Sequence, residues 1–164
     1  MSVSKLISVM MQYYNDVRLS EHSVKAYAYA HGIGKGENLP ESDQFILSAA
    51  AVLHDIGIPP AIKLYGSAKA EFQEKEGALL VPEMLEKAGI IQAHIKERVS
   101  WLVGHHHTEE LAENNLLLQI LIEADYLVNL AEGNAPAEKT EQVLNSSFKT
   151  RTGKEYIKAL FGFK

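Results

Sequence analysis

The stretch QFILSAAAVLHDIG, residues 44–57, decides how the rest of this chain is interpreted. Its first ten residues would be apolar on nearly every side of a helix, and a helix of that kind is normally buried in the core. Two ionisable residues, His54 and Asp55, close the segment before Ile56 and Gly57 end it. We therefore predict a central helix that carries a histidine and a carboxylate at its end.

Apolar residues recur with helical spacing on both sides of this stretch. No run rich in Val, Ile and Thr alternates with a period of two for long enough to form a strand. The predicted fold class is therefore all-α, a helical bundle of about six to eight helices. Residues 58–70 form a loop with room for a short helix, and the tail is consistent with one or two more. The longer predicted helices outside the central one lie near the N-terminus, around 20–31, and at 71–87, 91–106 and 115–130.

The length of the chain sets the expected number of domains. It has 164 residues, which is close to the size of one domain. No repeat, linker or low-complexity segment divides it. We therefore predict a single domain over residues 1–164, in which residues 131–164 form a helical extension.

Composition excludes several classes of function. Sixteen basic side chains against 21 acidic ones give a net charge of −5, so a nucleic acid polymer is not an expected partner. The absence of cysteine removes disulfides, thiolate zinc sites and iron–sulfur clusters. Neither a secretory leader nor an apolar run of about 20 residues is present. We expect a cytoplasmic protein without a membrane partner, and a homo-oligomer is compatible with the sequence.

Two of the four aspartates lie in strongly apolar surroundings. Asp55 follows AAAVLH and Asp125 follows LLLQILIEA. Burying a carboxylate is costly unless a cation or hydrogen-bond donors compensate it. A helix cap, a buried ion pair or a metal-free hydrogen-bonded network would suffice for one of them. With His22 inside the second predicted helix and His54 beside Asp55, three helices bring metal-ligand side chains to one core.

The order His22, His54-Asp55, Asp125 resembles the HD superfamily of metal-dependent phosphohydrolases, whose signature is H…HD…D on an all-helical fold. The residues around these positions also resemble the family: they are SEHSVKAYAYA, AAAVLHDIG and ILIEADYLVN. The resemblance covers about residues 18–130. It implies that these four residues hold one divalent ion. Mixed nitrogen and oxygen donors suit Mn, Fe, Co, Ni or Zn without choosing among them.

A phosphohydrolase activity is what this resemblance implies for function. A metal-activated water would cleave a phosphoester of a small phosphorylated metabolite or nucleotide. We therefore predict a phosphomonoesterase or phosphodiesterase, with Asp55 counted among its catalytic residues. The alternative is a non-catalytic regulatory module of the same fold that binds a metal and a nucleotide.

Some members of this family carry a second metal, and here the sequence departs from them. Gln73 occupies the position of a histidine ligand, and a neutral amide is a poor replacement. The run GHHHT offers His105 for substrate binding and His106 for catalysis; the alternative is a solvated helix end. Glu76 is the predicted acid or base beside the metal water, whereas Glu74 is expected on the helical surface.

The substrate phosphate needs a cation that the signature itself does not supply. Several phosphodiesterase subgroups have a lysine directly after HDIG, but this chain has Ile58. Arg18, about one turn before the first signature histidine, is one candidate for this role. Lys63 and Lys69, in the irregular segment after the doublet, are two more. Each of the three is equally well explained as a surface residue.

Overall fold

The computed structural model describes residues 2–164 and contains nine α-helices and one short 3₁₀ helix, with no strand in that range. The predicted all-α fold is confirmed, and the number of helices is slightly above the predicted six to eight. The loop at 58–70 folds into a helix of its own, and the 3₁₀ helix follows the histidine run. These two short elements account for the difference.

The helices follow one another with short connections. In chain order they are α1 (Val3–Tyr14), α2 (Val17–Gly36), α3 (Glu41–Leu53), α4 (Ile58–Tyr65), α5 (Ala70–Lys87), α6 (Ala93–Val103), the 3₁₀ helix (Glu109–Asn114), α7 (Leu116–Glu132), α8 (Ala137–Ser147) and α9 (Arg151–Phe161). Within residues 2–164 no single helix has the length and apolar composition to cross a membrane, although α3 and α4 taken together meet those two criteria across a bend of 41°.

Helix α3 is the centre of the fold, as its apolar sequence predicts. Every residue from Ile46 to Leu53 is buried. The helix contacts α1, α2, α6 and α7, so apolar side chains on all its sides are removed from water. Helices α2 and α7 also contact each other. The C-terminal end of α3 therefore meets both helices that carry the other signature residues.

The turn that follows α3 packs against the backbone of α5 at a glycine. A Cβ atom added to Gly57 would lie 2.0 Å from the carbonyl oxygen of Gln73 and 2.4 Å from the amide nitrogen of Gly77. Real Cβ atoms do not approach backbone atoms so closely, so no larger residue fits here without displacing α5. This contact holds the N-terminal half of α5 against the end of α3.

A buried carboxylate ties the C-terminal extension to α7. Glu123 is completely buried, and its Oε1 accepts hydrogen bonds from the amides of Lys149 and Thr150 at 2.6 and 2.9 Å. Its Oε2 accepts a further bond from the Thr150 hydroxyl at 2.5 Å, and the Gln119 amide donates to Oε1 at 2.8 Å. A carboxylate at a helix N-terminus is stabilised by the helix dipole. The N-terminus of α9 is therefore bonded to α7, the helix that carries Asp125.

Candidate metal centre

Three helices bring two imidazoles and one carboxylate to a single buried point. His22 Nε2 on α2 lies 3.2 Å from His54 Nε2, directly after α3, and 3.1 Å from Asp125 Oδ1 on α7. His54 Nε2 lies 3.3 Å from the same carboxylate oxygen. All three residues are buried. Side chains separated by up to 103 positions in the chain thus form one group.

Asp55 completes this group and extends it. Its Oδ2 lies 3.3 Å from the Nε2 atoms of both His22 and His54. Its Oδ1 faces the opposite way and lies 3.6 Å from His106 Nε2. The structure therefore brings together all four residues that the sequence nominates as metal ligands, and it adds a third imidazole on the far side of Asp55.

Both signature histidines direct Nε2 at this point and make a second hydrogen bond through Nδ1. His54 Nδ1 donates to the carbonyl oxygen of Ala51 at 2.8 Å, and His22 Nδ1 donates to Glu132 Oε2 at 3.0 Å. Because a carbonyl or carboxylate oxygen only accepts, the proton of each neutral ring lies on Nδ1. Both Nε2 lone pairs then face the centre, which is the arrangement that metal-ligating histidines adopt.

The electrostatics of the group favour a positive charge at its centre. Burial disfavours the charged form of His22 and His54, but the neighbouring carboxylates outweigh it and raise the pKa of His22 and, more strongly, that of His54. Burial likewise disfavours ionised Asp55 and Asp125, yet the histidines hold the pKa of each carboxyl well below its usual range. The two ionised carboxylates therefore attract a cation, and a divalent ion that displaced the ring protons would find two nitrogen donors and a balancing charge of two.

A second group of ligand-type side chains lies next to the first. Glu74, His106 and His107 each offer one ligand atom, and these atoms lie within 4.8 Å of one another. His106 Nδ1 donates to a backbone carbonyl at 2.7 Å, while its Nε2 is buried and has no hydrogen-bond partner among residues 2–164. That nitrogen lies 3.6 Å from Asp55 Oδ1. The polar groups beside the centre are therefore not all satisfied by the protein.

The histidines of the run GHHHT do not all face the directions that the sequence predicts. His105, predicted to bind substrate, stacks on Trp101 at 4.5 Å between ring centroids and donates through Nδ1 to the Trp101 carbonyl at 2.7 Å. His106 and His107 instead lie together, with ring centroids 3.9 Å apart. The physical reason is that α6 ends at Val103. The next residues form a turn in which the helical angle of about 100° between neighbours no longer applies.

Two glutamates of α5, Glu74 and Glu76, contact residues that the sequence analysis did not anticipate. The Glu74 side chain is only 13% exposed, and its Oε1 accepts a hydrogen bond from the backbone amide of His107 at 2.8 Å. The expectation that Glu74 lies on the helical surface is therefore wrong. Glu76, the predicted acid or base, accepts a hydrogen bond from the Tyr65 hydroxyl at 2.9 Å. Its catalytic role gains no support from this contact.

Two residues of α7 that the sequence analysis overlooked hold the candidate ligands in place. Asn129 Nδ2 donates to Asp125 Oδ1 at 2.9 Å, and Glu132 accepts from the His22 ring. Asp125, Asn129 and Glu132 follow the spacing i, i+4, i+7, so they share one face of the helix. That spacing from Asp125 is the sequence signal that could have identified them.

A cavity of about 490 Å³ opens beside this group. Asp125, His106 and His107 line it, together with residues of the segment before and within α8. A larger cavity, of about 920 Å³, lies elsewhere and includes none of the four candidate ligands in its lining. The smaller cavity is therefore the one relevant to chemistry at the candidate metal centre. Its lining is His106, His107, Glu109, Ile122, Asp125, Tyr126, Asn129, Leu130, Gly133, Ala135, Pro136, Lys139 and Val143.

The residues predicted to bind phosphate lie away from this cavity. Arg18, Lys63 and Lys69 are all exposed, and none of them belongs to its lining. Gln73 is buried, and its amide donates to the Ala68 carbonyl at 3.0 Å. The structure thus gives no support to a phosphate contact from the three basic residues.

Comparison with known families gives a match over most of the chain. A family model described as HD domain matches residues 19–130, more than half of the sequence. The matched part includes the four candidate ligands and ends before α8. The searches of curated proteins and of solved structures returned no match.

Proposed function

The chain belongs to the HD domain family, and from that premise we propose that it is a metal-dependent phosphohydrolase acting on a small phosphorylated metabolite or nucleotide. The observation that carries this proposal is the convergence of His22, His54, Asp55 and Asp125. Their facing nitrogen and oxygen atoms are 3.1 to 3.3 Å apart. Each histidine of the four is held in the tautomer that leaves Nε2 free for a metal.

These four residues would hold one divalent metal ion. Their two carboxylate charges balance the charge of such an ion, and the donor set fits Mn, Fe, Co, Ni or Zn. When bound, the ion supplies Lewis acidity toward a phosphoryl oxygen and lowers the pKa of a water molecule toward neutrality. Asn129 and Glu132 fix the orientation of Asp125 and His22, a role that supports metal affinity.

His106 is the residue we propose to move a proton in the reaction. Its Nε2 is buried and has no hydrogen-bond partner within residues 2–164. It lines the cavity and lies 3.6 Å from Asp55 Oδ1, so a substrate or water in the cavity can reach both. An unpaired ring nitrogen in that position can accept a proton from an attacking water and return it to a leaving group.

The competing function is a metal- and nucleotide-binding regulatory module with the same fold. The observations that favour it are Ile58 in place of a lysine and Gln73 in place of a histidine. The first removes a phosphate contact used in several phosphodiesterase subgroups, and the second removes a ligand for a further ion. Such a module would bind a nucleotide without forming product.

A substrate screen separates the two functions. Full-length protein purified without chelator would be analysed for metals and then incubated with phosphomonoesters, phosphodiesters and nucleotides in Mn²⁺, Co²⁺ or Ni²⁺. We expect release of phosphate or of a nucleoside product that Asp55→Ala abolishes. Asp43→Asn, which changes an aspartate paired with Arg98 at 2.9 Å on the surface of α3, serves as the matched control. Tight nucleotide binding without product would favour the regulatory module.

A further inference from the structure

Part of the cavity at the candidate metal centre is formed by a segment outside the family match. The cavity volume of about 490 Å³ lies in the range of about 300–1,000 Å³ that is usual for small-molecule sites. Asp125 and His106 line it, and so do Lys139 and Val143, which follow the matched residues 19–130 in the chain. The C-terminal extension therefore contributes directly to the space that a substrate would occupy.

Lys139 is the only Lys or Arg among the described residues that line this cavity. It lies in the first turn of α8 and is exposed. It forms none of the Lys or Arg ion pairs found within residues 2–164. A lysine ammonium on a flexible stem acts as a mobile point charge, so this side chain is available to a negatively charged ligand.

The charge balance of the cavity calls for such a cation. The two negative charges of Asp55 and Asp125 balance the charge of a divalent ion. No positive charge of the ion then remains to neutralise a substrate. A phosphate monoester carries about 1.5 to 2 negative charges near neutral pH, and Glu109 adds another negative charge to the lining. Uncompensated like charges in a partly enclosed site are costly. A phosphodiester, with one charge, places a smaller demand on the site.

The apolar side chains of the same cavity identify the rest of the substrate. Ile122, Leu130 and Val143 line it. An apolar part of a ligand that packs against these side chains removes apolar surface from water, which favours binding. The Tyr126 hydroxyl, also in the lining, is already engaged as a donor to Glu109 at 2.5 Å. The lining is thus suited to an ester with an organic group that is apolar on one face.

We propose that Lys139 binds the phosphate of the substrate, and that the substrate is a phosphate monoester whose organic group packs against Ile122, Leu130 and Val143. This inference rests on the proposed phosphohydrolase function and names its substrate class. It also moves the phosphate-binding role from Arg18, Lys63 and Lys69 to the C-terminal extension.

The test compares full-length wild-type protein with Lys139→Gln and Lys139→Arg after loading with Mn²⁺. Binding of inorganic phosphate is measured by calorimetry, and turnover is measured with para-nitrophenyl phosphate and with bis(para-nitrophenyl) phosphate. Lys154→Gln, an exposed lysine of α9 outside the cavity lining, is the matched control. Manganese content and circular dichroism establish that each variant is folded and loaded.

We expect Lys139→Gln to weaken phosphate binding by about tenfold or more, the usual effect of losing a hydrogen bond between charged groups. KM for the monoester should rise by a similar factor, and the diester should be affected less. Lys139→Arg should keep most of the binding, and Lys154→Gln should match the wild type. Phosphate binding by a folded, loaded Lys139→Gln that equals the wild type would overturn the role of Lys139.

The outcomes for Lys139 and for the proposed function are separable. Wild-type protein that binds phosphate through Lys139 but hydrolyses no ester would overturn the phosphohydrolase function and support the phosphate site. Hydrolysis that persists unchanged in Lys139→Gln would support the function and overturn the site. An equal loss for monoester and diester would overturn the assignment of the substrate class.

Discussion

The Nε2 atoms of His22 and His54 face each other at 3.2 Å, while the Nδ1 atom of each ring donates to an oxygen acceptor. The carboxylates of Asp55 and Asp125 raise the pKa of both rings, so the space between the two Nε2 atoms attracts positive charge. A proton on one ring or a divalent ion between the rings can supply it. This pair is the strongest physical argument for a cation at the centre.

The first prediction concerns the metal content of a ligand variant. His22→Ala should reduce the metal content of purified protein from about one equivalent to a small fraction, because it removes one of four donors. Elemental analysis of protein prepared without chelator measures this. His94→Ala changes an exposed histidine of α6 and should leave the content unchanged. Equal metal in both variants would remove His22 from the ligand set.

The second prediction tests the residue that orients the His22 ring. Glu132→Gln replaces a carboxylate acceptor by an amide and should lower metal affinity by about 10- to 100-fold, the usual range for such partners. Competition with a coloured chelator gives the affinity. Lys25 lies 3.5 Å from the same carboxylate, so Lys25→Gln is the control for the loss of that ion pair. A comparable drop in Lys25→Gln would attribute the effect to general charge rather than to His22.

The third prediction concerns the close contact between α5 and the turn after α3. Gly57→Ala should lower the free energy of unfolding by about 2 kcal/mol or more, because its Cβ would overlap the backbone of Gln73. Urea denaturation measures the change. Gly104→Ala, whose nearest atom would be 3.2 Å away, should cost less. A stable Gly57→Ala protein would show that α5 can move without penalty.

The fourth prediction concerns the buried carboxylate under the C-terminal helices. Glu123→Ala should lower the free energy of unfolding by about 3 kcal/mol or more, because the amides of Lys149 and Thr150 lose their acceptor inside the protein. Glu138→Ala, an exposed glutamate of α8, should change it by about 0.5 kcal/mol or less. Similar unfolding midpoints for the two variants in urea would argue against this role for Glu123.

The fifth prediction is a pH dependence of stability that arises at Glu37. Partial burial opposes its charge, but Thr152, whose backbone amide donates to Glu37 Oε1 at 2.8 Å, and the nearby charge of Arg151 hold the pKa of Glu37 below its usual range. Its contribution is therefore present at neutral pH and is lost as the pH falls below about 4.5, where the unfolded chain takes up the proton first. Unfolding in urea from about pH 7 to pH 3 should show this loss.

Glu37→Gln provides the comparison for that pH series. The amide does not titrate, so the variant should lose less stability than the wild type between about pH 5 and pH 3. Glu138→Gln should retain the wild-type slope. Parallel curves for all three proteins would mean that Glu37 has the same pKa in the folded and unfolded chain.

Local sequence patterns were sufficient to predict the core and to nominate the four ligands. An apolar run of ten residues can be buried only at the centre of a small bundle, which placed α3 correctly. The His54-Asp55 doublet at its end and Asp125 in a second apolar helix pointed to the same interior. His22, inside a third predicted helix, completed the set, and the order of the four then resembled a known signature. Their roles as ligands await the metal measurements.

The residues around this centre could not be predicted, because their orientation depends on where helices end and how they pack. Apolar spacing extended α6 to residue 106, whereas the helix ends at Val103. His105 was therefore nominated in place of His107, while His106, also nominated, lines the cavity. Glu74 is held by the backbone amide of His107, a contact between segments far apart in sequence. Lys139 was overlooked because it belongs to a segment with weak periodicity.

The attachment of the last two helices through Glu123 has a practical consequence for anyone who dissects this chain. A fragment that stops where the recognised family region stops, at residue 130, would keep that acid but lose the amides of Lys149 and Thr150. The surface of α7 that α8 and α9 cover, including apolar side chains near Glu123, would then be exposed to water. Such a truncated protein is expected to be prone to aggregation, so soluble expression would require the tail.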